Sequence, residues 1–299
     1  MASSVSQLRA IGFALMGFAA WVLSDVCMKL AGEAALPFYE VVGFLGLFGA
    51  LVMLLKAWPE GKIKALWPRS PRAQLGRALL ALACNVFNVI ALKHLPLTMF
   101  YVTVFTAPMM IAILASFFLR EYLTVPKILA IITGFAGVVI AVNPLQNSGT
   151  GDWIGYACAL TGTVCFAGSI TWSRVMTQTE SGNSMVFFTA LIEMIFGFGL
   201  MLTHAEPLTI KLLLILFGMG ALCALGNFLI YMAIKHTTAA NVSQFHYTQI
   251  VTGALLGYII WHEIPTAHLL VGVALIVAAG LYIAARARKA ENLASVSPR

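Results

Sequence analysis

Apolar residues run along this chain in long blocks rather than in the strict alternation of a half-buried strand. A hydrocarbon core about 30 Å thick is crossed by about 20 apolar residues in a helix, and the blocks have that size. They predict ten transmembrane helices: Leu8 to Ala31, Leu36 to Ala57, Leu75 to Leu92, Leu95 to Leu119, Val125 to Val142, Ile154 to Trp172, Met185 to Thr203, Leu212 to Ile234, Ala239 to Trp261 and Ala267 to Ala285. Connections are short, so sequential helices are antiparallel neighbours; the loop carrying Pro59, Pro68 and Pro71 is the long polar exception. The first block outruns a signal-peptide core and is kept as a helix.

Composition agrees with an all-α membrane protein. Of 299 residues, 61% are apolar and 10% charged, against about 45–50% and 25% in soluble domains. A net charge of +7 would suit nucleic acid if the cations were clustered on a soluble face, but they follow topology instead. With the N-terminus inside, all of the 18 Lys and Arg residues except Lys29, Lys93 and Lys211 fall on the cytoplasmic side. Both termini are therefore expected in the cytoplasm of a multi-pass bacterial inner-membrane protein. The basic loop from Lys56 to Arg77 sets topology and could also meet anionic headgroups. The five cysteines all fall in apolar runs without a CxxC pair, so neither a disulfide framework nor a metal site is expected.

Sliding the chain by 142 residues places Ala91, Lys93 and His94 on Ala233, Lys235 and His236, and Glu121-x-x-Thr124 on Glu263-x-x-Thr266. The same register pairs Asn85 with Asn227 and Thr106 with Thr248. This reads as a duplication, with repeats over 1–146 and 147–299. Five spans in each make the second copy enter the membrane from the opposite side. Such inverted repeats form a pseudo-twofold axis in the membrane plane, and their substrates bind near the midplane between the halves.

The stretches Ala107-Pro108-Met109 through Leu119-Arg120-Glu121-Tyr122-Leu123-Thr124, and Ala233-Ile234-Lys235-His236 through Glu263-Ile264-Pro265-Thr266, resemble the EamA type of the drug/metabolite transporter superfamily. In the second stretch Ile250 stands where the first has Pro108. The resemblance covers essentially the whole chain, and within the superfamily it leans toward bacterial exporters of aromatic amino acids. It implies two inverted five-helix repeats, no cofactor and a small-molecule substrate.

Polar side chains within spans are costly in lipid and should face the bundle interior. Asn85 and Asn88 share one face of the third span, Asn227 and Tyr231 one face of the eighth; each pair serves either a zwitterionic ligand or interhelical hydrogen bonds. The ninth span is the most polar. Gln244 and Thr248 share a face, Ser243 and Tyr247 an adjacent one, and Tyr101 and Phe105 are the mates of Ser243 and Tyr247. His246 is either a proton carrier or a structural residue. Trp21 and Trp172 are candidates to stack on a ligand ring, with an interfacial role as the alternative, above all for Trp172. Asp25 and Lys29, one turn apart, are expected to form an ion-pair cluster with Glu33 and Glu40. Glu193, mid-span without an opposite charge nearby in sequence, is a coupling candidate, while Glu121 and Glu263 are expected to serve turns and helix starts.

Amides, phenols and aromatic rings with almost no buried Lys or Arg fit amino acids better than multiply charged phosphates. The expectation is an alternating-access exporter of amino acids, aromatic and other neutral, embedded in lipid, monomeric and without nucleic acid. Pro108, Gly134 and Gly137 would let helices bend. An exporter of other metabolites or cationic drugs is the nearest alternative. An integral membrane enzyme would need a convergent constellation, and HExxH, GxSxG and acidic metal-site motifs are absent. A channel would move solute faster and without exchange stimulation.

Overall fold

A computed structural model describes residues 4–118, 125–142, 153–176, 179–236, 244–264 and 266–296, and all regular structure in them is helical. The helices are α1 (Ser4–Glu33), α2 (Phe38–Ala57), α3 (Pro71–His94), α4 (Leu97–Val104), α5 (Ala107–Phe118), α6 (Val125–Val142), α7 (Trp153–Met176), α8 (Gly182–Met201), α9 (Ile210–His236), α10 (Thr248–Trp261) and α11 (Ala267–Val296). Short 3-10 turns cover Ile63–Leu66 and Gln244–Tyr247. Seven helical segments among the described residues are long and apolar enough to cross a membrane, with shorter apolar helices at Ile128–Ala141 and Ala267–Tyr282.

Local chemistry sets the ends. Pro71 opens α3 with φ already helical, and the Ser70 N–H donates to Glu180 Oε1 at 2.6 Å, so α3 starts earlier than its apolar run. Ser181 caps α8 by accepting from the Ser184 N–H. α11 runs past Ala285 because the following Ala, Arg, Lys and Glu residues are strong helix formers although no longer apolar.

The fourth predicted span is two helices rather than one. Pro108 has no N–H to offer the carbonyl one turn back, and the Thr106 hydroxyl donates to the Thr103 carbonyl at 2.8 Å, which closes α4 before α5 begins. At the same register in the second half a 3-10 turn at Gln244–Tyr247 passes into α10 at Thr248, whose hydroxyl donates to the Phe245 carbonyl at 2.6 Å. Thr106 and Thr248, and Thr103 and Phe245, are mates under the 142-residue register. A threonine common to both halves therefore stands where the second helical piece of each begins, even where Ile250 replaces the proline.

Packing pairs the halves rather than separating them. α1 packs on α9, α3 on α7, α2 on α8 and α6 on α11. Each pair takes one helix from each half, and the set maps onto itself under the duplication. Glycines permit these approaches: at Gly43 and Gly197 the backbones of α2 and α8 come together, and at Gly17 and Gly226 those of α1 and α9.

Candidate functional site

A cavity of about 480 Å³ lies where these pairs meet. α1 presents Trp21, Ser24, Asp25 and Met28 to it, spacings that share one helix face. α3 contributes Arg77, Cys84, Asn85 and Asn88, and α8 contributes Met185, Thr189 and Glu193 at steps of four. Phe100 and Tyr101 from α4, Asn227 and Phe228 from α9 and Gln249 from α10 complete the wall. The cavity extends toward Met53, Ser173 and Asn183, the helix ends on the side of the basic loop.

Its polar groups form two separate arrangements. Tyr101 Oη donates to Asp25 Oδ2 at 2.7 Å. On the other wall, Asn85 Nδ2 donates to Glu193 Oε1 at 2.6 Å, and the Arg77 guanidinium donates to Gln74 Oε1, the Met185 carbonyl and Thr189 Oγ1 at 2.6–2.9 Å. Thr189 is one turn from Glu193 on α8, so Arg77 and Glu193 belong to one polar seam between α3 and α8. Asn227 is used locally, donating to the Cys223 carbonyl at 2.9 Å. Among the described residues no three His, Cys, Asp or Glu side chains converge to hold a metal ion.

The opposite side is closed by a network around Glu263. Its carboxylate accepts from Lys29 Nζ at 2.9 Å, the Leu97 N–H at 2.9 Å, and the Thr98 N–H and hydroxyl at 3.2 and 3.1 Å. Lys29 also donates to the Leu95 carbonyl and lies 4.5 Å from the Trp261 ring centre. Glu263 does start a helix, as its spacing suggested, but the helix is α4 of the other half. Burial alone would push this carboxyl up; Lys29 and the α4 N–H groups outweigh it and hold it below the ordinary glutamate range.

The structure brings Trp21, Asn85, Asn88, Tyr101, Asn227 and Glu193 to one cavity. His246 and Tyr247 do not line it. His246 is packed among the rings of Phe18, Trp21 and Phe105, at 5.2, 6.4 and 5.0 Å. Tyr247 is buried against Phe105. Trp172 is on the far face of α7, 41% exposed, with its indole over Gly76, because α7 turns its small polar side chains inward. The side chains of Tyr231 and Gln244 and all of Ser243 and Glu121 lie outside the described residues.

The expected cluster of Asp25, Lys29, Glu33 and Glu40 is not formed. Lys29 pairs with Glu263 instead. Glu33 accepts from Trp261 Nε1 at 2.6 Å and Glu40 from the Glu206 N–H at 2.7 Å. Arg77, read from sequence as a topology residue, is buried in the cavity wall, because α3 begins before its apolar run. Comparing the halves sets both residues apart: Asp25 corresponds to Ile170, as Gly17 does to Gly162, and Arg77 to Met219. A charge where the mate is apolar is not maintained by the duplicated fold alone.

Two stretches of the chain, residues 8–143 and 153–285, match the EamA-like transporter family. The chain belongs to this family. It is 27% identical to an S-adenosylmethionine uptake transporter of Rickettsia bellii, across 94% of each chain. A riboflavin transporter of Brucella anthropi is 24% identical over 88% of this chain and 94% of its own, and a pseudopaline exporter of Pseudomonas aeruginosa 25% over 83% and 86%. A crystal structure with 17% identity superposes with a TM-score of 0.66 over 91% of this chain and 96% of that one, which shows a common fold. This EamA-like protein is thus a multi-pass membrane transporter, and its family and these relatives are transporters.

Proposed function

We propose that this EamA-like transporter carries amino acids, aromatic and other neutral ones, and metabolites built on an amino-acid head group. It does so by alternating access through ten spans arranged as inverted repeats over 1–146 and 147–299. The observation that carries this reading is the composition of the cavity between the halves. An amino acid needs acceptors for its ammonium, donors for its carboxylate and an apolar wall for its side chain. Asp25 and Glu193 supply the first, Arg77 and the Asn85, Asn88 and Asn227 amides the second, and Trp21, Phe100 and Phe228 the third.

A single arginine, already engaged by Gln74 and Thr189, is not the clamp that a phosphorylated substrate needs. The cavity extends toward the basic loop, and the rule that positive loops face the cytoplasm makes that the loading side for export. Names among the relatives include both uptake and export, so direction follows the gradients rather than the fold. Glu193 is the coupling candidate because it lines the cavity, whereas His246 is enclosed by rings and buttresses Trp21.

The test is uptake of radiolabelled phenylalanine and tryptophan into proteoliposomes, with and without unlabelled amino acid inside, with S-adenosylmethionine and riboflavin run in parallel. Saturable uptake accelerated by internal amino acid is expected. Uptake of riboflavin alone, with insertion confirmed, would overturn the assignment.

A further inference from the structure

Resting on this reading, we infer that Asp25, Tyr101 and Trp21 form a cation subsite that selects substrates carrying a positive charge beside an aromatic or apolar body. The two carboxylates of the cavity are not equivalent. Glu193 shares its seam with the buried Arg77, two turns apart along the Met185–Thr189–Glu193 face. Asp25 has one hydrogen-bond donor, the Tyr101 hydroxyl, and among the described residues no ion pair. Lys29, the cation one turn away on α1, is turned to Glu263 and the Leu95 carbonyl.

A carboxylate within a span is normally compensated by a cation or held for function. One hydrogen bond uses a small part of its acceptor capacity, about four lone-pair positions. The surroundings fit an organic cation. Trp21 lies one turn before Asp25 on the same face of α1, and Tyr101 packs edge-on against Phe100 with ring centres 5.5 Å apart. Aromatic faces beside a carboxylate bind ammonium and other soft organic cations through their ring quadrupoles as well as by charge. Trp21 is itself fixed in place, with its ring edge on Gly226 and contacts to Phe18 and His246.

The subsite is single. Asp25 corresponds to Ile170 on α7, as Gly17 corresponds to Gly162 by their matching approaches to α9 and α3, and Tyr101 aligns with Ser243 in sequence, so the second half has no equivalent carboxylate and one cation binds per chain. The fold needs no charge at this position, and a charge there serves the ligand.

Binding of radiolabelled tryptamine to the purified full chain in nanodiscs tests this, with tryptophan and indole-3-propionate as competitors. Wild type is expected to bind one tryptamine per chain. Tryptophan should compete at least tenfold better than indole-3-propionate, which lacks the ammonium. Asp25→Asn, which keeps an oxygen for the Tyr101 hydroxyl, should lose at least tenfold in tryptamine affinity, and Asp25→Glu should recover part of it. Failure of wild type to bind tryptamine, or an Asp25→Asn affinity equal to wild type, overturns the subsite. Tryptamine binding that depends on Asp25 in a protein that exchanges no amino acid would retain the subsite and overturn the amino-acid reading alone.

Discussion

Phe105 and Tyr247 stack on one another with ring centres 5.4 Å apart and planes 26° from parallel, and they are mates under the 142-residue duplication. A residue meets its own mate only at a symmetry axis, as in an isologous interface. The same reciprocity appears between α6 and α11: Gly134 approaches Ala279 and Gly137 approaches Ile276, while the mates of Gly134 and Gly137 are Ile276 and Ala279. The pseudo-twofold axis relating these contacts therefore passes through the stacked rings, beside Thr106 and Thr248.

That position separates two substitutions of these aromatics. Phe105 is fully buried, and Phe105→Ala should cost about 3–5 kcal/mol, as cavity-forming aromatic truncations do. Among the described residues the buried Tyr247 hydroxyl has no hydrogen-bond partner, so Tyr247→Phe should leave thermal unfolding in detergent unchanged or slightly raised. A Tyr247→Phe protein that unfolds as readily as Phe105→Ala would contradict the stacked-axis assignment.

α2 and α8 approach closely at Gly43 and Gly197, and again at Gly46. A Cβ at Gly197 would meet the Gly43 backbone and the Tyr39 carbonyl, whereas one at Gly199 meets nothing within 4 Å. Gly197→Ala should therefore destabilise by about 1–3 kcal/mol, the usual range for overpacking. Gly199→Ala, two residues away, should be neutral or stabilising through helix propensity. Equal melting temperatures for the two variants would mean that the helices are not in contact there.

Much of this architecture was legible because lipid imposes a coarse pattern. Apolar blocks marked where the helices lie, seven helical segments among the described residues being long and apolar enough to cross a membrane, and identities such as Asn85/Asn227 and Thr106/Thr248 pointed to the two stretches that match the family. Several residues that line the cavity were legible for the same reason: Asn85, Asn88, Asn227 and Glu193 are polar where lipid forbids it. What stayed hidden depends on long-range partners. Nothing near Lys29 in sequence indicates Glu263, 234 residues away, and the local i to i+4 rule pointed to Asp25 instead. Trp172 was misleading because an aromatic near a span end has the same sequence signal whether it faces a ligand or lipid.

Glu263 gives the structure an acid sensitivity with a definite sign. Its carboxyl is held below its ordinary value by Lys29 and the α4 N–H groups, so the network contributes stability above the unfolded-state pKa of about 4.3. That contribution is lost as pH falls from there through the lower folded value. Wild type should lose thermal stability across that acid window more steeply than Glu263→Gln, which keeps an oxygen for either Leu97 or Thr98 but not both and has no charge to titrate. At neutral pH the variant should be the less stable of the two. Parallel stability curves for the two proteins from neutral pH into the acid window would show that the Lys29–Glu263 pair contributes nothing.

Glu193 can be tested so that charge and packing are read separately. Its Oε1 accepts from Asn85 Nδ2 at 2.6 Å, a bond that a glutamine oxygen also accepts. Glu193→Gln should therefore fold and exchange substrate across the membrane, while losing the pH dependence of net transport if its charge couples the cycle. Glu193→Ala leaves the Asn85 amide without its acceptor, and should lose stability as well as transport, by about 1–3 kcal/mol for an orphaned buried donor. The distinguishing measurement is net uptake against pH beside equilibrium exchange, in the same proteoliposomes. A Glu193→Gln profile that superimposes on wild type would remove Glu193 from coupling and leave it as a hydrogen-bond acceptor between α3 and α8.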